Sequence, residues 1–313
     1  MMARYKALAK GIYCIDALYV KPDVASIYLL REANEVAIIE TGTYHSMTNV
    51  LASLADLGIA ESQVKYVIPT HVHLDHAGGA GAMMQQFRQA SLIIHPRGAR
   101  HMIDPQKLIE STIAVYGPDV FERLYGRIEP IPEERVIVAQ HLDRFSLDSR
   151  ELLFIDTPGH ARHHFCIYDE TSDGVFTGDT FGICYEPMKH LPRCLLPSCP
   201  PTQFDPEALH ESINTIMNLA PQRLYLTHYG ELNNPAAQLS SFGSWIDQYV
   251  SLCNRIAPAD QPGEQELQNA LLQLVLDELQ VADERSEIAR VLENDIRLNA
   301  QGLAHWWRQS NDD

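Results

Sequence analysis

The sequence lacks any apolar run long enough to cross a membrane. A membrane-spanning helix needs about 20 consecutive, mostly apolar residues, and the uninterrupted apolar stretches of this 313-residue chain are far shorter. The first twenty residues are broken by Lys10 and Asp16 before the apolar core of a signal peptide is complete. We therefore expect a cytoplasmic protein that has no membrane partner.

Basic residues are scarce relative to acidic ones. The chain has 24 Lys and Arg against 41 Asp and Glu, which gives a formal net charge of -17 at pH 7. Affinity for nucleic acids depends on Lys and Arg side chains that neutralise phosphates and release counterions. The composition therefore argues against a nuclease and against any nucleic-acid partner.

The six cysteines lack the spacing of a disulfide framework. They stand at positions 14, 166, 184, 194, 199 and 253, and a chain of this length can bury a sufficient core without disulfides. Free thiols are therefore predicted. Cys194 and Cys199 share a proline-rich loop, so a zinc clip or a regulatory disulfide between them is the alternative.

The hydrophobic pattern indicates two β-rich parts followed by a helical part. Short β-branched and aromatic runs, typical of buried strands, occur between residues 12 and 39 and again between 135 and 228. Helical spacing of apolar residues predicts a helix from Ser46 to Leu57 and continues over most of the chain after residue 232. The pattern predicts an α/β fold in which two sheets pack face to face with helices outside. We expect one domain over residues 1–232 and a helical C-terminal extension over residues 233–313 that packs on it.

The segment THVHLDHAGGAG, residues 70–81, carries four side chains that can bind metal: His71, His73, Asp75 and His76. It follows VKYVIPT, which is typical of a buried strand, so the cluster begins where a strand ends. In an extended backbone His71 and His73 point the same way, whereas Asp75 and His76 come after the chain has bent. The cluster can therefore face two neighbouring metal positions. The alternative is a polar loop that happens to be rich in histidine.

Three further residues of the same chemistry stand at the ends of later predicted strands. They are His160 in IDTPGH, Asp179 in FTGDTFG and His228 in LYLTH. Strand ends on one edge of a sheet converge in space, which brings residues from distant segments to one site. Singly, each has a structural explanation, as a turn histidine, a turn or capping aspartate and a core histidine. Together with the first cluster they make a more specific pattern.

This pattern, HxHxDH followed by a histidine, an aspartate and a histidine, resembles that of the metallo-β-lactamase superfamily of metallo-hydrolases from roughly Ile12 to His228. The resemblance implies an αββα sandwich and two divalent metal ions, with zinc expected first and iron or manganese as alternatives. It implies the following ligands: His71, His73 and His160 for one ion, Asp75, His76 and His228 for the other, and Asp179 as a bridge. It also indicates His164 as a support for the ligands, and the sequence departs from the family at Glu40, where aspartate is more frequent.

The reaction implied by this resemblance is hydrolysis. Two cations a few ångströms apart lower the pKa of bound water toward about 7, and the resulting metal-bound hydroxide would attack a small ester, lactone or thioester. Asp75 would orient this nucleophile and pass a proton to the leaving group. The alternatives are a mononuclear-iron redox enzyme of the persulfide dioxygenase kind and a non-enzymatic metal-binding member of the fold. His76 and His228 argue against the first alternative because they complete a second metal position, and the intact ligand set argues against the second.

The charge and the tryptophan residues of the predicted C-terminal extension give expectations about the substrate and about a partner chain. A glutathione thioester is disfavoured, because an anionic glutathione group needs basic contacts and this region is acidic. Its acidic residues include Asp277, Glu278, Asp283, Glu284 and Glu287. Trp245, Trp306 and Trp307 in the same region would suit a homodimer surface, or equally amphipathic helices that pack on their own domain.

A long proline-rich segment, Gly182 to Phe204, follows shortly after Asp179. Loops of this length are usually functional, so we expect this one to overhang the metal ions. Tyr185 and His190 are its candidate contacts to a small-molecule substrate. A purely structural loop is the alternative.

Overall fold

The computed structural model describes residues 3–256, 263–281 and 286–311. Asp283 and Glu284, two of the acidic residues considered above, lie outside these ranges. The chain forms two compact units, of which unit 1 comprises Met1–Asp156, His163–Gly178 and Arg223–Glu231. Unit 2 comprises Thr157–Arg162, Asp179–Gln222 and Leu232–Asp313. The predicted domain boundary at residue 232 stays a prediction.

A seven-stranded sheet of unit 1 contains strands β1 to β7 in chain order. Its strands are Tyr5–Ala7 (β1), Ile12–Asp16 (β2), Ser26–Glu32 (β3), Glu35–Ile39 (β4), Val64–Ile68 (β5), Ser91–Ile94 (β6) and Val136–Val138 (β7). The pairs from β1 to β4 are antiparallel, and the pairs from β4 to β7 are parallel. Because parallel strands end at the same edge, the segments that follow β4 and β5 start side by side.

Both faces of this sheet are buried, which explains why its strands read as continuous apolar runs. In β3, Ile27 and Leu29 belong to one buried cluster, whereas Tyr28 and Leu30 belong to a second cluster on the opposite face. This alternation follows from the two-residue period of a strand. Each large apolar side chain buried in this way contributes roughly 1.5–3 kcal/mol.

A second, six-stranded sheet has the order β13-β12-β11-β10-β9-β8. Its strands are Arg144–Leu147 (β8), Arg150–Asp156 (β9), Phe165–Asp169 (β10), Gly174–Ile183 (β11), Arg223–His228 (β12) and Gly230–Asn233 (β13). Within unit 1 the two sheets share a core, in which the rings of Tyr28 and Phe176 lie 5.2 Å apart. The Tyr28 hydroxyl also donates to the Leu226 carbonyl at 2.5 Å. The prediction of two sheets packed face to face is therefore confirmed.

Of the six helices of unit 1, the first four cover the other face of the first sheet, and the last two pack in a separate cluster with Leu74. The six helices are Met47–Asp56 (α1), Leu74–Ala77 (α2), Ala80–Gln86 (α3), Pro96–Ile103 (α4), Gln106–Tyr116 (α5) and Pro118–Tyr125 (α6). Val50 and Leu54 of α1 pack into the same cluster as Ile27 and Leu29 of β3. The helix predicted from Ser46 to Leu57 is confirmed in α1, which ends before Gly58 because that glycine has a φ of +64°.

Unit 2 is mainly helical. Its helices are Pro206–Met217 (α7), Ala236–Ile256 (α8), Glu264–Glu278 (α9) and Glu287–Asn311 (α10). Trp245 of α8 is fully buried beneath Arg193, whose guanidinium carbon lies 4.2 Å from the ring centre. The Trp245 ring is therefore enclosed within unit 2, as expected of an amphipathic helix that packs on its own domain. The homodimer stays a prediction. Trp306 and Trp307 are half-buried.

Within the described ranges, no helix has both the length and the apolar composition that crossing a membrane requires. The long helices α8 and α10 instead bury apolar residues along one side, such as Trp245 and Tyr249 of α8 and Leu292 and Ile296 of α10. The cytoplasmic location stays a prediction.

Candidate metal centre

The HxHxDH segment begins directly beyond β5, as predicted. His71 is buried, and its Nε2 lies 2.9 Å from Nδ1 of His73. His73 has an extended backbone and precedes α2, so Asp75 and His76 fall within the first helical turn. The chain therefore bends between His73 and Asp75, as predicted. That the two pairs face two metal positions stays a prediction.

The buried carboxylate of Glu40 at the end of β4 connects this segment to two other strands. It accepts hydrogen bonds from the Thr70 amide at 3.1 Å and the Thr70 hydroxyl at 2.6 Å. It also accepts from Nδ1 of His76 at 2.9 Å and from the Thr227 hydroxyl at 2.9 Å. Glu40 itself has a φ of +65°, which is strained for a residue other than glycine. The surrounding hydrogen bonds hold the side chain in place despite this strain.

Contacts to oxygen atoms decide which ring nitrogen is presented by three histidines of unit 1, namely His71, His76 and His228. The Thr70 hydroxyl donates its only proton to Glu40, so it accepts from Nδ1 of His71 at 3.1 Å. Nδ1 of His76 donates to the Glu40 carboxylate, and Nδ1 of His228 donates to the Val24 carbonyl at 2.8 Å. Neutral imidazole carries one proton. His71, His76 and His228 are therefore held in the form whose Nε2 can bind a cation.

Asp75, His76 and His228 form a group of possible metal ligands in unit 1. Nε2 of His76 is 3.7 Å and Nε2 of His228 is 3.6 Å from Oδ2 of Asp75, and the ligand atoms of all three residues lie within 4.8 Å of one another. Ligand atoms around a tetrahedral ion with bonds of about 2.1 Å lie about 3.4 Å apart. Two imidazoles and a carboxylate at this spacing fit a divalent cation.

The other two predicted ligands, His160 and Asp179, lie in unit 2. Nε2 of His160 is 3.4 Å from Oδ2 of Asp179, a separation that also suits two ligands of one ion. Nδ1 of His160 lies 3.1 Å from the Ser198 carbonyl. Gly159 allows the backbone before His160 to approach α7, because a Cβ at that position would lie 2.4 Å from the Leu209 amide nitrogen. The sequence IDTPGH therefore makes a tight turn that presents the histidine.

Two further histidines, His163 and His164, lie beside His71. The ring centre of His164 lies 4.9 Å from that of His71, and His164 is fully buried. Gly178 leaves room for it, because a Cβ there would lie 2.4 Å from Nε2 of His164. Burial, followed by the charge of His73, lowers the pKa of His163 to about 3. His163 is therefore neutral at physiological pH in the absence of metal.

An apolar cluster adjoins Asp75 in unit 1. Leu74, Phe121, Tyr125 and Ile128 form its buried part, and the hydroxyls of Tyr19 and Tyr125 lie 3.2 Å apart. Burial raises the pKa of Tyr125 most, followed by the charges of Tyr19 and Asp75. Sequence reasoning did not single out these tyrosines.

The two candidate substrate contacts differ in their surroundings. The Tyr185 ring is buried, and its hydroxyl donates to the Asp295 carboxylate of α10 at 3.2 Å. His190 is exposed. The loop that carries both is attached to β11 by paired hydrogen bonds between Ile183 and Leu196. Their substrate contacts stay predictions.

All six cysteines are buried, and none of them forms a disulfide. The thiol of Cys194 lies against that of Cys184, and this contact is the main cause that raises the pKa of Cys184. Cys199 instead neighbours Cys253. The alternative of a disulfide between Cys194 and Cys199 is therefore wrong. The alternative of a zinc clip stays a prediction.

We expect the change Glu40→Gln to lower the free energy of unfolding of the metal-free protein by roughly 1–3 kcal/mol, the cost of one unsatisfied buried polar contact. If the glutamine oxygen replaces Oε1, its amide group faces the Thr70 amide, and two donors then oppose each other. Urea unfolding followed by circular dichroism measures the change.

Glu35→Gln is the matched control for Glu40→Gln, because it also removes one negative charge. The Glu35 carboxylate accepts from Lys65 at 2.8 Å and from the Asp148 amide at 2.6 Å, and the side chains of Glu35 and Lys65 are about one-third exposed. An ion pair of this kind contributes up to about 1 kcal/mol. Equal destabilisation by the two variants would contradict the role of Glu40 as a buried acceptor.

Comparison with known proteins agrees with this geometry. Residues 20–228 match the model of the metallo-beta-lactamase superfamily. The chain is 27% identical over 226 residues to the metallo-beta-lactamase fold-containing protein ST1585 of Sulfurisphaera tokodaii, covering 71% of this chain and 79% of that protein. It is 25% identical over 189 residues to acyl-coenzyme A thioesterase MBLAC2 of Bos taurus, covering 56% of this chain and 65% of that protein.

Solved structures show the same fold. The crystal structure of the archaeal superfamily protein ST1585 from Sulfolobus tokodaii superposes with a TM-score of 0.67 at 22% identity, covering 95% of this chain and 99% of that chain. The family protein TTHA1429 from Thermus thermophilus gives 0.68 at 19% identity, covering 97% and 95%. The predicted fold, a metallo-β-lactamase-type sandwich with a helical C-terminal extension, is confirmed. The chain belongs to the metallo-beta-lactamase superfamily.

Proposed function

We propose that the protein is a dinuclear metal-dependent hydrolase that cleaves a small ester, lactone or thioester. The observation that carries this proposal is the arrangement of the histidine tautomers. His71, His76 and His228 each donate Nδ1–H to an oxygen acceptor and so present Nε2. Such outer hydrogen bonds orient ligands before a metal binds.

The proposed ligand set follows the family pattern. We assign His71, His73 and His160 to one ion, Asp75, His76 and His228 to the second, and Asp179 to both. Zinc is the first candidate, since imidazole and carboxylate are ligands that it prefers, and iron or manganese are alternatives. When bound, two such cations supply a hydroxide nucleophile at neutral pH and a Lewis acid for the carbonyl oxygen.

Asp75 is the proposed proton carrier of the reaction. Its side chain is 22% exposed, whereas those of His76 and His228 are 0% and 8% exposed. The Asp75 carboxylate is therefore the most accessible member of its group, and it can orient a nucleophile or transfer a proton to a leaving group.

A thioester is the favoured substrate among the three classes. The apolar cluster around Phe121 and Tyr125 adjoins Asp75, and the partly buried side chains packed against it, such as Leu108 and Tyr116, offer an apolar surface for an acyl chain. The relative MBLAC2 is named an acyl-coenzyme A thioesterase, which agrees with this choice. Tyr185 and His190 remain proposed contacts to the rest of the substrate.

Two alternatives have different consequences for metal content. A mononuclear-iron redox enzyme of the persulfide dioxygenase kind would bind one iron per chain, and a non-enzymatic member of the fold would bind metal without turnover. The donor group of Asp75, His76 and His228 supports a second ion and so favours the hydrolase.

The test is elemental analysis of the purified protein together with hydrolysis assays on an acyl thioester, a lactone and an aryl ester. We expect two zinc ions per chain and the highest kcat/KM for the thioester. One iron per chain, or two metal ions with no hydrolysis of any of the three substrates, would contradict the proposal.

A further inference from the structure

Asn299, in the middle of α10, makes two hydrogen bonds to a loop about 100 residues away in sequence. Its side chain is 3% exposed. Its carboxamide oxygen accepts from the Cys199 amide at 2.7 Å, and its carboxamide nitrogen donates to the Pro197 carbonyl at 3.0 Å. Asparagine is unfavourable inside a helix unless its polar groups find partners. Here both ends of the side chain are used, one on each side of Ser198.

Helix α10 approaches this loop closely at the next turn. A Cβ on Gly302 would lie 2.0 Å from the Cys199 carbonyl oxygen and 2.8 Å from the Pro200 carbonyl oxygen. Only glycine leaves room for this approach. The Pro197–Cys199 segment is therefore fixed by backbone packing as well as by the Asn299 carboxamide.

Ser198, which lies between Pro197 and Cys199, faces the candidate metal ligand His160. The Ser198 carbonyl lies 3.1 Å from Nδ1 of His160. A carbonyl oxygen only accepts hydrogen bonds, so Nδ1 carries the proton and Nε2 is the nitrogen available to a cation. The same Nε2 lies 3.4 Å from Oδ2 of Asp179. All of these residues belong to unit 2.

We infer that Asn299 is a positioning residue for the metal ligand His160, acting through the Pro197–Cys199 backbone. This inference rests on the proposed function, in which His160 binds a metal ion. Its consequence is that the C-terminal helix contributes to metal affinity although it supplies none of the proposed ligands. Removing the carboxamide releases the Ser198 carbonyl, and the orientation of the His160 ring is then no longer defined.

The experiment measures zinc binding to full-length, metal-free protein by competition with a chromophoric chelator. Asn299→Ala is expected to weaken the affinity of the site that contains His160 about tenfold, the lower end of the effect of losing an outer hydrogen bond to a ligand. The visible spectrum of the cobalt-substituted variant should also differ from that of the parent protein. Asn299→Asp keeps the size and the acceptor for Cys199, but it sets a carboxylate oxygen against the Pro197 carbonyl oxygen, so it should weaken zinc binding at least as much as Asn299→Ala.

Asp295→Ala is the matched control. It removes the acceptor of the Tyr185 hydroxyl one turn earlier on the same helix, so it also breaks a contact between α10 and the loop. We expect its zinc affinity and cobalt spectrum to equal those of the parent protein.

Three results separate the inference from the proposed function. Parent-level zinc affinity in folded Asn299→Ala, or in Asn299→Asp if the alanine variant does not fold, would overturn the inference alone. Equal weakening by Asp295→Ala would also overturn it, because the effect would then be a general loosening of the loop. A parent protein that binds no zinc would overturn the proposed function itself.

Discussion

Removal of bound metal is expected to lower kcat/KM for a thioester by at least about a thousandfold. Bound metal lowers the pKa of water from 15.7 to about 7, so its removal takes away the hydroxide nucleophile available at neutral pH. Neutral imidazoles and a carboxylate would remain, and general base catalysis of this kind contributes only about 10²–10⁴-fold. The measurement compares activity before and after dialysis against a chelator.

Re-addition of zinc or manganese should restore activity, while a sample dialysed without chelator should keep it. Metal should also raise the melting temperature, because binding to the folded state alone stabilises it by about 4 kcal/mol at a free concentration 1,000 times Kd. Circular dichroism of the metal-free sample establishes that the loss is not unfolding. Full activity in folded, metal-free protein would refute the proposed hydrolase.

The change Asp75→Asn is expected to lower kcat about 10²–10⁴-fold at saturating zinc. Asparagine keeps the size and one carbonyl oxygen of the carboxylate, but it cannot accept or release a proton. The side chain should also hold the second ion less tightly, because the carboxylate is the only anionic group among Asp75, His76 and His228. Measuring kcat across a zinc titration separates these two effects.

Asp119→Asn is the control for Asp75→Asn. Asp119 is exposed in the first turn of α6, so its substitution removes the same charge outside the donor groups. We expect unchanged kcat and zinc content in this variant. Normal kcat in Asp75→Asn at saturating zinc would show that Asp75 carries no proton in the reaction.

The sequence predicted those parts of the fold that depend on the pattern of apolar residues within a few positions of the chain. The apolar runs of β3 and β4 produce the two-residue alternation that buries both faces of the first sheet. The strand VKYVI followed by HxHxDH predicted a turn that separates His71 and His73 from Asp75 and His76, and α2 begins at that point. Such patterns are readable because strand and helix periods act over a few residues.

The role of Glu40 was harder to predict. Its replacement of the more frequent aspartate was visible in the sequence, but its four hydrogen bonds come from residues 70, 76 and 227. Which donors meet one carboxylate depends on how three strands end in space, and no local pattern encodes that. A charged residue directly after the buried run VAII was the available signal, because a buried carboxylate requires partners.

The sequence by itself therefore determined the residue types of the candidate centre and the strand ends that carry them. Only the tertiary structure decided the tautomers, since these depend on acceptors such as the Val24 carbonyl, 204 residues from His228. It also decided that Asn299 holds the loop that faces His160. The physical reason is that periodicity and turn chemistry act between neighbours in the chain, whereas a hydrogen bond requires two atoms about 3 Å apart, and over such separations only the completed fold brings them together.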